Sequence, residues 1–465
     1  MSYIADLIQA TADWLFVPVL VIVLFGTGLF LTVRLGFVQV RRFGEAVREF
    51  FGGRAAGGAG ALTPFQAFMT ALGTTIGTGN IAGVTAGIVS GGPGVLFWIW
   101  CYGFFATAIK YAEAVLGVSY RETVGRDDVR SGPMYYLRDG LKSPALAMTY
   151  AVVAGVAALT TTPFTQTNSI ALVMNSQVGV PFWVSGVVVA VLTWLVIIGG
   201  IKSIGRAFEK LAPAKVGIYL VGSLIVIITF ASRVPDVLAM VFREAFTTQS
   251  AWGFGMYTAI RYGLARGLYA NEAGYGTAAV AYGTAKSDRP SQQGLNGVME
   301  TFIVSFGTCT LTALTVMLSG IVDWSIPLAE RATSSAAVAL AWNSAMPNVG
   351  GYLVAFCVFL FGYGTLIGWS YYGEKFLEYW LGTWVVTPYR WIYCLLIPLG
   401  AISKVDLVWA WGDLMNALQI FPNLIGVLAL SGIAAKAAFD RGQTGVRPVD
   451  RGQTGVRPGS NRGQT

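Results

Sequence analysis

Gly73-Thr74-Thr75-Ile76-Gly77-Thr78-Gly79-Asn80 and Asn271-Glu272-Ala273-Gly274-Tyr275-Gly276-Thr277 are two short, polar, glycine-rich stretches set inside long apolar segments. In hydrocarbon an unwound backbone is tolerated only where protein buries it or where it lines a cavity. Each stretch is therefore a candidate binding point rather than a loop. Gly77 and Gly79 let a helix open, and Thr74, Thr75, Thr78 and Asn80 crowd polar groups around the opening. Gly83 and Gly87, farther along the same segment, have the four-residue spacing that lets neighbouring helices pack closely.

An opened helix presents N–H groups at the start of one half and C=O groups at the end of the other. The amides favour a carboxylate and the carbonyls favour a cation, so one break can hold an anionic substrate group together with its coupling ion. The second stretch has the same make-up and adds Glu272, an acid in an apolar setting. That carboxylate either accepts hydrogen bonds from backbone and neighbouring helices or handles a proton or cation directly.

The rest of the chain has the composition of an integral membrane protein. Apolar residues make up 55%, aromatic residues 13% and charged residues 12%, and the mean hydropathy is +0.61. The roughly 20-residue requirement for crossing a bilayer places about eleven spans, at 12–33, 65–88, 93–119, 147–175, 182–201, 213–232, 253–284, 294–320, 350–372, 386–402 and 408–437. The two breaks fall in the second and seventh. Corresponding interruptions in two halves of a chain point to a transporter's midplane site. The expected fold is all-α and membrane-integral: residues 1–64 form an N-terminal helix and loop, 65–232 a first five-helix repeat and 233–437 a second. Residues 438–465, with the nine-residue unit Asp-Arg-Gly-Gln-Thr-Gly-Val-Arg-Pro repeated, form a polar tail expected to be disordered.

A formal charge of +8 raises the question of nucleic acid, but the basic residues cluster in short loops between spans, where they set orientation. Arg34, Arg41, Arg42, Arg48 and Arg54 follow the first span, and Arg121, Arg126, Arg130, Arg138 and Lys142 follow the third. Lys202, Arg206 and Lys210 follow the fifth, whereas the 321–349 loop has only Arg331 against Asp323 and Glu330. The expected placement is a multi-pass protein of the cell membrane with the N-terminus outside and the C-terminus cytoplasmic. No arginine-rich region precedes the first apolar segment, so that span is expected to remain.

Cys101, Cys309, Cys357 and Cys394 lie in separate spans and give neither disulfide nor metal-ligand spacing. The chain has no histidine, which removes the Ser-His-Asp and Cys-His constellations and the usual zinc sites. A transporter rather than an enzyme is expected. Its partners are a small solute and the lipid bilayer, with no nucleic acid, and a monomer suffices.

Three groups of residues resemble the alanine or glycine:cation symporter family. They are Gly77-Thr78-Gly79-Asn80-Ile81-Ala82-Gly83-Val84, Arg266-Gly267-Leu268 with Asn271-Glu272-Ala273-Gly274, and Gly368-Trp369-Ser370-Tyr371-Tyr372-Gly373-Glu374. The resemblance runs from about residue 12 to 435. It implies a leucine-transporter-type (LeuT) fold, a five-plus-five inverted repeat with one added N-terminal helix, and symport of alanine or glycine. It also implies that the amides of Thr78 and Gly79 hold the substrate carboxylate, that Gln166 and Asn271 face the substrate, and that Tyr269 walls off larger side chains. Gln166 can alternatively satisfy a neighbouring helix, and Tyr269 can serve packing.

For the coupling ion, the resemblance implies sodium between spans 2 and 9, held by carbonyls of Gly73, Ile76 and Phe361 and by the hydroxyl of Thr365, oxygen ligands suited to a hard cation. The chain departs from the family pattern in two places. Gly364-Thr365 stands where two adjacent hydroxyl residues are expected, and Val304-Ser305 stands where an acid and a hydroxyl are expected. A proton handled by Glu272 or Glu300 is the alternative to sodium.

Overall fold

The computed structural model describes residues 11, 21–52, 57–125, 128–248, 255–324, 326–403 and 405–440. Most of the first expected span's N-terminal half, Arg54, Arg126 and the repetitive tail beyond 440 lie outside the described residues. Within them the chain is a bundle of helices. Six are long and apolar enough to cross a membrane: Val95–Ser119, Pro144–Val178, Gly200–Thr229, Pro290–Ser319, Gly350–Leu381 and Thr383–Ile402. A seventh crossing is available to the pair Ala410–Ala429 and Ser431–Phe439, bent by 58°. Shorter apolar helices lie at Ile22–Arg34 and Phe182–Ile197.

Both interruptions are present, and local chemistry explains each. The helix Pro64–Thr75 starts at a capping box: Thr63 Oγ1 accepts from Gln66 N and Gln66 Oε1 accepts from Thr63 N, both at 3.1 Å, with Pro64 in the first turn. It stops where Ile76 and Gly77 turn extended. A short turn over Thr78–Asn80 follows before helix resumes at Ala82–Gly91. The second segment is helical over Met256–Asn271 and Thr277–Gly283. Between them Glu272, Gly274 and Gly276 all take positive φ, at 54°, 94° and 82°. That region suits glycine and is unfavourable for an ordinary side chain, so Glu272 is held there by its contacts.

A third, milder break divides the expected 147–175 span. Helices Pro144–Thr160 and Thr162–Val178 meet at Thr161, and Pro163 in the first turn of the second has no N–H to continue the ladder. This bend puts Thr161, Thr162, Thr165 and Gln166 at the level of the first break.

Much of the outside is apolar, and the mostly apolar interior holds a set of buried polar and ionisable groups. Thr74, Thr75, Thr78, Asn80, Lys110, Glu113, Lys215, Asn271, Glu272 and Glu300 are buried. Val187, Val191, Leu195 and Ile198 form an exposed stripe at helical spacing on and just beyond the 182–197 helix. An isolated helix in lipid gains nothing by hiding such side chains, whereas buried polar groups must find partners. Close approach at the centre depends on glycine: a β-carbon on Gly73 would lie 2.2 Å from the ring of Phe208, and one on Gly222 would lie 2.0 Å from Trp342. The helix bearing Lys215 is thereby brought against the first break.

Candidate substrate and cation site

A tight cavity of about 20 Å³ lies at the first break, room for about one water molecule. Gly77, Gly79 and Asn80 line it from the break itself, and Thr161, Thr162, Thr165 and Gln166 from the bend in the 144–178 segment. Tyr269, Glu272 and Tyr275 come from the second interrupted segment, Thr365 and Trp369 from the 350–381 helix, and Asn416 from the last long helix. Both interrupted segments thus contribute to one cavity.

The amide end of the first break meets a neutral acceptor. Thr78 N donates to Gln166 Oε1 at 3.0 Å and Thr78 Oγ1 donates to the same atom at 2.9 Å. Gly77 N donates to Asn80 Oδ1 at 3.0 Å. Glycine is required at two points: a β-carbon on Gly77 would lie 2.5 Å from Thr365 Oγ1 and 3.1 Å from Gln166 Oε1, and one on Gly79 would lie 2.5 Å from the ring of Tyr269. Of the expected substrate residues, Gly79, Gln166 and Tyr269 face the cavity, and Thr78 meets it through Gln166.

Asn271 is placed differently. Its Nδ2 donates to Gly267 O at 2.9 Å and Ser305 Oγ at 2.7 Å, and its Oδ1 accepts from Ser305 Oγ at 3.0 Å. The side chain is committed to the 290–319 segment rather than to the cavity. Glu272, next in sequence, takes the cavity face: its Oε1 accepts from Trp369 Nε1 at 2.8 Å and its Oε2 from Thr277 Oγ1 at 3.2 Å.

The carbonyl end of the first break has a charged partner that the sequence expectation did not include. Lys215 Nζ donates to Gly73 O and to Ile76 O, each at 2.6 Å. These are the two carbonyls expected to hold sodium. The ammonium also sits 5.3 Å from the centre of the Phe361 ring, within range of a cation–π attraction. Thr365 Oγ1 donates to Thr74 O at 2.7 Å and to Phe361 O at 3.3 Å. Two of the four expected ligands, the carbonyls of Gly73 and Ile76, therefore meet a protein cation, whereas the Phe361 carbonyl and the Thr365 hydroxyl meet each other. With Lys215 in place a sodium ion does not fit that oxygen pair, because two like charges would share one partner set.

The second break is closed by charges of both signs from a single helix. Lys110 Nζ donates to Asn271 O at 2.8 Å and pairs with Glu300 Oε1 at 3.0 Å. One turn on, Glu113 Oε1 accepts from Gly274 N and Gly276 N at 3.0 Å each and from Asn423 Nδ2 at 2.6 Å. Glu300 joins the two breaks, since it also accepts from Thr75 Oγ1 at 2.6 Å and Tyr282 OH at 2.8 Å. Lys110, Glu113 and Lys215 were absent from the expected site. Their signal was available all the same: each is an ionisable residue inside an expected span, at 93–119 or 213–232.

Over nearly its whole length the chain is similar to known transporters. The profile of the sodium:alanine symporter family matches residues 1–444. A sodium/alanine symporter, AgcS, of Methanococcus maripaludis is 38% identical over 92% of this chain and 95% of its own length. An amino-acid carrier protein, AlsT, of Bacillus subtilis is 32% identical over 94% of this chain and 92% of its own length. Among solved structures, a variant of a manganese transporter from Eremococcus coleocola superimposes with a TM-score of 0.53 at 15% identity, covering 80% of this chain and 78% of that one. This last likeness concerns the fold alone.

Proposed function

The chain belongs to the sodium:alanine symporter family, and from that membership we propose that it imports alanine or glycine across the cell membrane by cation-coupled, alternating-access symport. The observation that carries the choice of substrate is the small cavity at the first break, where Gln166 Oε1 accepts from both the amide and the hydroxyl of Thr78. A carboxylate oxygen of an amino acid is a stronger acceptor for the same donors. Gln166 then yields its place and turns its own donors to the substrate. Glu272 is the cavity's carboxylate and the counter-charge for the amine, and Tyr269 packed on Gly79 limits side-chain size. Substrate binding shifts the population from open to occluded states, and the driving gradient completes the cycle. Eleven spans with an outside N-terminus, a five-plus-five inverted repeat and a monomeric working unit belong to the same reading.

Two coupling ions are in play. Sodium follows from the family. The ammonium of Lys215 on Gly73 O and Ile76 O favours a driving ion other than sodium at that position, with the proton as candidate and Glu272 or Glu300 as its carrier. Uptake of labelled alanine into proteoliposomes, with sodium and proton gradients applied separately, separates the two. Thr78→Phe is expected to abolish uptake under every gradient by filling the approach to the amides; normal transport by that variant overturns the assignment of the carboxylate site.

A further inference from the structure

We propose that Lys215 is a tethered cation that permanently replaces sodium between the first break and the 350–381 helix, and that Gly364 is the residue that makes room for it. The inference concerns the coupling ion of the transporter proposed above and rests on three independent features. The ammonium is completely buried and donates to two carbonyls at the C-terminal end of a half-helix, where unpaired carbonyls and the helix dipole favour positive charge. Among the described residues no carboxylate forms a salt bridge with it, so its charge is compensated by those oxygens and the Phe361 ring. A β-carbon on Gly364 would lie 2.6 Å from Lys215 Nζ and 2.9 Å from Gly73 O. Any side chain at 364, a hydroxyl ligand included, would displace the ammonium. The bare glycine at 364 and the ammonium beside it are therefore one arrangement: the space a side chain would fill is the space the amino group uses.

The chemistry is that of substitution within one partner set. Sodium and an alkylammonium each carry a single positive charge and each takes carbonyl oxygen, but only the ammonium is held by the chain itself. It holds the 64–75 half-helix against the Gly200–Thr229 helix in the way a bound ion would, with no dependence on external sodium.

The test compares thermal unfolding of purified protein in sodium chloride and in choline chloride at equal ionic strength. Wild type is expected to unfold at the same temperature in both. Lys215→Ala is expected to unfold at a lower temperature in choline and to recover by a few degrees selectively in sodium, and adding Gly364→Ser is expected to enlarge that recovery. A selective sodium shift in the wild type as large as in these variants overturns the proposal, as does a monodisperse Lys215→Ala/Gly364→Ser protein that ignores sodium. If Lys215→Ala does not fold, Gly364→Ala in the otherwise native chain decides: a drop in unfolding temperature supports the proposal and an unchanged temperature overturns it. These readouts need no substrate. Absence of alanine uptake by the wild type under any gradient would thus overturn the proposed function while leaving this inference to stand or fall separately. Sodium-driven uptake by the wild type that is lost in Lys215→Ala/Gly364→Ser overturns the inference alone.

Discussion

The two breaks are built from similar sequence and end in different company. At the second, the carbonyl end meets the Lys110 ammonium and the amide end meets the Glu113 carboxylate, both from the Val95–Ser119 helix. At the first, the carbonyl end meets the Lys215 ammonium but the amide end meets neutral side-chain oxygens, those of Gln166 and Asn80, beside a cavity. A carboxylate that is part of the chain cannot be exchanged, whereas a neutral acceptor gives way to a charged one. The second break is thus a fixed joint, and the amide end of the first is the exchangeable position.

The largest expected effect tests the joint. Glu113→Ala leaves the buried Gly274 N and Gly276 N without an acceptor and Asn423 Nδ2 with only Gly274 O, which should destabilise the protein by about 3–5 kcal/mol. Thermal unfolding in detergent measures it. A variant that unfolds at the wild-type temperature would break the contrast, because the second break would then be as loosely held as the first.

The next probes the exchangeable position. Gly79→Ala drives a β-carbon to 2.5 Å from the Tyr269 ring, and overpacking of this kind should weaken alanine binding by about 1–3 kcal/mol, roughly 5- to 150-fold. The KM for uptake checks this, with stability falling less than in Glu113→Ala. Smaller still, Gln166→Ala removes the neutral acceptor that Thr78 uses when no substrate is bound. Its loss should raise KM with a penalty of about 0.5–1.5 kcal/mol and little change in unfolding temperature. An effect mainly on stability would mean that Gln166 is a structural tie between helices, and would erase the difference between the breaks.

How much of this was legible in the sequence differs from group to group. The membrane class and the positions of both interruptions were readable, because glycine and polar residues within an apolar run mark where a helix must open. The direction of Asn271 was not. Its neighbour Glu272 adopts positive φ, and that single backbone turn sends one side chain to Ser305 and the other to the cavity. The bend at Thr161, which sets Gln166 at the level of the first break, carried a weak signal in Pro163. Gly364 read as a missing ligand; only with Lys215 beside it does it read as a space.

What the sequence determined by itself was local: an apolar chain, two places where its helices cannot continue, and therefore two sets of unpaired amides and carbonyls. What the tertiary structure decided was which group answers each of them. Lys215 lies 139 and 142 residues from the carbonyls it meets, and Lys110 and Glu113 lie 161 to 163 residues from theirs. Helix opening is governed by the residues at the opening, but the partner of an opened end is fixed by which distant helix packs there. Helices that are apolar over most of their surface encode that packing in the fit of glycine against ring and methyl group rather than in any periodic pattern along the chain.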